Sequence, residues 1–148
     1  MPFLYWEVYM EEEKMEKINF ENEDILDEFY DYLLSCGLSE RTVISHYNNM
    51  DTYLNLYLCY YEIIGWKDGV NCGNVDGFLS DWFIRKCCWS NVSNMNGMVS
   101  SIKKFYKYAS DKGYVDKKSV KELVQFLKNR RDHYVDLVLR YEYEFLND

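Results

Sequence analysis

Pro2 is the only proline in this 148-residue chain, so no later helix is broken by a missing amide or a fixed φ. Beyond it the pattern is periodic. Apolar residues recur at three- and four-residue intervals, which gathers them on one face of an α-helix, and no stretch alternates apolar with polar as a half-buried strand does. The spacing predicts an all-α chain, a compact bundle of four to five helices.

The clearest element runs from Ser90 to Gly113. Met95, Met98, Val99, Ile102, Phe105, Tyr106 and Ala109 form its apolar stripe, while Asn94, Ser101, Lys104 and Lys107 occupy the opposite side. Ser90 or Asn91 can cap its start, and Gly113 can take the left-handed conformation that ends it. Earlier in the chain, Ile25, Leu26, Phe29, Tyr30, Leu33 and Leu34 predict a helix over Glu23 to Ser35, with Asn22 as its cap and Gly37 as its stop. Ser39 then caps a second helix with Thr42 at its third position. Its stripe of Val43, Ile44, Tyr47, Met50, Tyr53, Leu54, Tyr57 and Leu58 continues to about Tyr61, and its exposed opening presents Glu40, Arg41, Ser45, His46 and Asn49.

Gly65, Gly69 and Gly73, with Asp68 and Asn71, read as a loop with turn glycines, after which Asn74 caps a third helix through Val75, Phe78, Leu79, Trp82, Phe83 and Ile84. Arg85 and Lys86 suit that helix's negative C-terminal end. Beyond Gly113, Ser119 starts a last helix with Val120, Leu123, Val124, Leu127, Tyr134, Leu137, Val138, Tyr141 and Phe145 inward. The opening from Phe3 to Ile18 mixes aromatic and acidic residues and reads as a short extended or helical arm packed on the body. The chain therefore divides into an N-terminal arm (1–21), a main helical domain (22–115) and a C-terminal helix (116–148).

Charge is unevenly placed. The net charge is −8, but residues 1–36 hold 11 acidic and 2 basic side chains, whereas residues 101–148 hold 8 acidic and 11 basic ones. A local basic region thus sits in an acidic protein, and its distribution matters more than the total. Cys36, Cys59, Cys72, Cys87 and Cys88 make an odd number without Cys-x-x-Cys spacing, which favours reduced, buried thiols in the cytosol. A zinc site from Cys72, Cys87, Cys88 and a histidine is disfavoured, because adjacent cysteines do not easily share one tetrahedral ion. No metal or cofactor is called for, and the apolar start is too short to span a bilayer. The glycine loop lacks the preceding strand and spaced lysine of a phosphate cradle, and two histidines offer no recognisable catalytic spacing, so no catalytic residue is assigned.

Two stretches, in their order and separation, carry a resemblance. Gly37-Leu38-Ser39-Glu40-Arg41-Thr42, followed by Tyr47 and Leu54, and then Ser90 to Val115 with Ile102, Lys103, Phe105, Tyr106, Tyr108 and Gly113, resemble the N-terminal core-binding domain of tyrosine recombinases, the SAM-like domain of phage-type integrases. The resemblance covers roughly Glu23 to Val115. It implies a helical bundle that grips one side of duplex DNA while a separate C-terminal domain does the chemistry. That second domain is longer than the 33 residues after Val115. His133 has no arginine three residues on, and Arg140 alone cannot serve Tyr141 or Tyr143 as the cationic surround a tyrosine nucleophile needs.

The resulting expectation is a non-catalytic DNA-binding module. Lys103, Lys104, Lys107 and Lys112 neutralise phosphates, Arg41 and His46 approach the same backbone from the second helix, and Asn91, Ser93, Asn94 and Asn96 bond phosphates or base edges. The competing expectation is a protein-interaction or self-association module. It rests on the acidic first third, the surplus of tyrosines such as Tyr53, Tyr57, Tyr60 and Tyr61 on one helix, and the last helix, whose stripe offers a surface to a second copy or another protein.

Overall fold

The computed structural model describes residues 3–87 and 90–147, and every regular element in them is helical. Helix α1 (Phe3–Ser35) corrects the first expectation, since arm and first helix are one rod of 33 residues, about 50 Å long at 1.5 Å per residue. No glycine or proline interrupts it. Asn22 is therefore no cap. It lies fully buried within the rod, its Nδ2 donating to the Leu54 carbonyl at 3.4 Å and to Asn55 Oδ1 at 2.7 Å. Ile25, Leu26, Phe29 and Leu33 enter the core, Leu34 faces outward, and the first half of the rod is largely exposed, with Met15 and Ile18 half-buried and one side running past Cys59–Ile63.

Helix α2 (Glu40–Asp51) starts as the sequence predicts, with Ser39 Oγ accepting the Thr42 amide at 3.2 Å. It passes into a π-helical stretch, Thr52–Tyr57, and the chain leaves the helix at Leu58, short of Tyr61; Ile44 points outward. Helix α3 (Cys72–Gly77) begins two residues before the expected cap Asn74, because Asn71 Oδ1 takes the Gly73 amide at 2.8 Å. A second π-helical stretch, Phe78–Trp82, joins it to α4 (Phe83–Lys86). The widened turns pack on one another. Tyr53 and Tyr57 lie 5.0 and 5.1 Å from the Phe78 ring, and Tyr57 lies 5.7 Å from Trp82, centroid to centroid.

Helix α5 (Val92–Asp111) is the centre of the fold. Asn91 Oδ1 accepts the Asn94 amide at 2.8 Å, Gly113 takes φ +77°, and all seven predicted stripe residues are buried. The helix packs along α2 and α6 (Lys117–Asn147), and its Phe105 and Tyr108 rings meet Phe29 and Tyr32 of α1. Asp116 rather than Ser119 opens α6, its Oδ2 accepting the Ser119 amide at 3.3 Å. Val120, Leu123, Leu127, Tyr134 and Val138 are buried as expected, Tyr141 is exposed, and the Phe145 side chain lies outside the described residues.

The glycine-containing loop is a packed part of the core. Tyr106 donates its hydroxyl to the Trp66 carbonyl at 2.7 Å, and Tyr53 donates to the Gly69 carbonyl at 2.6 Å. Gly69 is required by close approach, since a Cβ there would collide with the Tyr106 hydroxyl and the Leu58 side chain. Six α-helical segments thus make five rods, with α3 and α4 forming one of them.

Candidate nucleic-acid interface

Asn96, Ser100, Lys103 and Lys107 stand at successive intervals of four, three and four, so they share a face of α5 beside its buried stripe. That face lies against the edge of α6. Between the two helices opens a groove of about 300 Å³, lined by Asn96, Ser100, Lys103, Lys104 and Lys107 with the Val99 side chain at its floor, and closed by Arg131 of α6. Arg131 Nε donates to Asn96 Oδ1 at 3.3 Å across it.

The groove concentrates positive charge. The Lys103 ammonium is partly buried there, and burial first, then Lys107, Arg131 and Lys128, push its pKa below the usual lysine value. The ion pairs among the described residues are Arg85 with Asp81, Arg130 with Asp76, and Arg140 with Asp136. None of the five cations at the groove, Lys103, Lys104, Lys107, Lys128 and Arg131, takes part in one. Like charges held together without a carboxylate raise the energy of the empty groove, and an anion entering it relieves that repulsion. Arg131 can offer a planar fork to a phosphate, the lysines offer point charges, and Asn96 and Ser100 add neutral hydrogen-bonding groups.

The ten residues expected at the interface separate in space. Asn96, Lys103, Lys104 and Lys107 line the groove. His46 is turned inward, a correction to its expected exposure: its Nδ1 lies 2.7 Å from Ser101 Oγ, which also accepts from Asn49 Nδ2 at 2.9 Å. Burial, then the Lys104 charge, lower the His46 pKa below 6.5. The ring is neutral at neutral pH and locks α2 to α5 rather than meeting a phosphate. Ser101, expected outside, is fully buried in that lock.

Asn91 is committed to its cap, and Ser93 and Asn94 occupy the first turn of α5, away from the groove lining. Arg41 is exposed in the first turn of α2 and also lies outside the lining. Lys112 sits at the far end of α5, its ammonium 5.9 Å from the centre of the Tyr108 ring. That ring stacks on Tyr32 of α1 at 4.5 Å, and its hydroxyl donates to Glu28 at 3.0 Å, so Lys112 belongs to an acidic end of the molecule.

The expected saddle between α2 and α5 is thus replaced by a groove between α5 and α6. Lys128 and Arg131 belong to the basic region of the sequence but not to the residues expected at the site. A usable signal existed: they stand three apart, one and four residues after Leu127, so both fall on the same rim of the α6 core stripe. The acidic leading segment does not cover the site, since no residue of α1 lines it.

No family model, no curated protein and no solved structure matches the chain. The groove's own chemistry therefore carries the functional reading. Among the described residues no group of three or more His, Cys, Asp or Glu side chains is placed to hold a metal ion; Cys88 lies outside those residues. No described helix is long and apolar enough to cross a membrane.

Proposed function

We propose that this chain is a non-catalytic DNA-binding module that holds duplex DNA against the edge of α5 and α6. One observation supports the reading above the others: Lys103, Lys104, Lys107 and Arg131 line one groove, Lys128 lies near enough to act on the Lys103 charge, and no described carboxylate forms an ion pair with any of the five. The sequence resemblance to the core-binding domain of tyrosine recombinases points the same way. The five cations neutralise phosphates and set the register of the protein on the duplex, while Asn96 and Ser100 bond phosphate oxygens or base edges.

An overall charge of −8 opposes long-range attraction, so binding is weak and strongly dependent on salt. The test is fluorescence anisotropy on a labelled generic duplex of about 20 base pairs. Five neutralised phosphates give a slope of roughly −4.5 in log K against log salt, so affinity falls on the order of 500-fold between 50 and 200 mM. Absence of binding at 50 mM salt overturns the proposal.

A further inference from the structure

The first half of α1 runs past Cys59–Ile63 on one side and leaves its other side bare. Tyr5, Trp6, Tyr9 and Phe20 are all at least 46% exposed, more apolar surface than a solitary helix normally shows to water. Between residues 3 and 21 lie six glutamates against two lysines. Trp6, Tyr9, Glu13 and Glu16 stand at three- and four-residue spacing along one face. The Trp6 and Tyr9 rings are stacked at 6.0 Å, and the Tyr9 hydroxyl donates to Glu13 Oε1 at 3.0 Å. That face presents ring faces and carboxylates together, the two kinds of group that lysine and arginine bind best.

We propose that the bare side of the first half of α1, which carries Trp6, Tyr9, Glu13 and Glu16, docks into the α5–α6 groove of a second copy of this chain, where it competes with nucleic acid. The proposal rests on the reading of the groove as an anion-binding surface. Charge complementarity selects the occupant: the arm carries a local excess of four negative charges, and the groove is lined by four cations, with Lys128 nearby, none of them in an ion pair with a described carboxylate. Pairing of one arm with another is disfavoured, because it brings two acidic segments together. The contact also has to be made between molecules. The rod is continuous, its second half is fixed in the core through Ile25, Leu26, Phe29 and Leu33, and none of it lines its own groove. An arm meeting a groove is a head-to-tail contact, so association grows with concentration and weakens with salt.

Sedimentation velocity on the full chain tests this with two charge-reversed variants, Glu13→Lys with Glu16→Lys, and Lys103→Glu with Lys107→Glu. Wild-type chain is expected to associate at 50 mM salt and to dissociate at 500 mM. Each variant alone stays monomeric at 50 mM with an unchanged far-ultraviolet circular dichroism spectrum. Their equimolar mixture again sediments as dimer or larger, because the native arm of the groove variant meets the native groove of the arm variant, and the reversed arm meets the reversed groove. A wild-type chain that is monomeric at 50 mM, an association that survives either reversal, or a mixture that stays monomeric overturns the proposal. The duplex-binding measurement separates the two readings. Restored association of the mixture without any duplex binding by wild-type chain removes the DNA reading and leaves the docking; duplex binding without association does the reverse.

Discussion

Replacing Lys103, Lys107 and Arg131 together by glutamine is expected to flatten the salt dependence of duplex binding by about 2.7 in log–log slope, at 0.9 per lost phosphate contact. Extended over the twentyfold range from 1 M to 50 mM salt, that change amounts to a loss of affinity on the order of 10³-fold at the low end. The three side chains line one groove, and none of them is in an ion pair with a described carboxylate. Their removal relieves repulsion in the free protein rather than breaking a native salt bridge, so folding survives it. Lys112→Gln and Arg41→Gln provide the contrast. Lys112 lies over Tyr108 beside Glu28, and Arg41 lies outside the groove lining, so neither substitution changes the slope by as much as one contact. Anisotropy titrations at four salt concentrations measure all three. A Lys112→Gln slope as flat as that of the triple variant would place the interface elsewhere.

Phe105→Ala is expected to carry the largest cost in stability, about 3–5 kcal/mol, read from urea unfolding monitored by circular dichroism. The ring is fully buried and touches three others edge-on: Phe29 of α1 at 5.2 Å, Trp66 of the loop at 5.6 Å and Tyr106 at 4.9 Å. Removing it opens a cavity where α1, α5 and the glycine loop meet, and rings of that size cannot collapse into it without losing their own contacts. Phe20→Ala is the counterpart, since Phe20 is 67% exposed on α1 and its loss stays within roughly 0.5 kcal/mol. A cost below about 1 kcal/mol for Phe105→Ala would contradict the packing described.

Helix α5 is legible in the sequence because its signals are local and agree: a stripe at helical spacing, an asparagine at the N-cap, a glycine at positive φ just past the end. Asn22 shows where local signals mislead. An asparagine ahead of an apolar stripe looks like a cap, but here it is held by the Leu54 carbonyl and Asn55, 32 and 33 residues away, and the helix simply runs through it. Asn74 misleads for a smaller reason, since Asn71 three residues earlier is as good a capping residue and reaches the Gly73 amide first.

The candidate site is half legible. Lys103, Lys104 and Lys107 announce themselves by spacing, but Lys112 lies five residues beyond Lys107, which turns it about 140° around the helix, toward α1. His46 looks exposed because the opening of α2 is polar, yet polar residues also lock buried helix contacts, and its partner Ser101 lies 55 residues away. Arg131 reaches the groove only through the packing of α6 on α5, with Asn96 as its partner 35 residues earlier, and no periodicity within either helix specifies that register.

The most direct test of the proposed nucleic-acid surface is an amide chemical-shift titration of the labelled full chain with a short generic duplex at 50 mM salt. The account predicts that the largest shifts fall between residues 96 and 107 of α5 and between residues 124 and 131 of α6, with Arg41 and Lys112 little changed. Shifts concentrated on α2 or on the far end of α5, or no shifts at that salt, would contradict it.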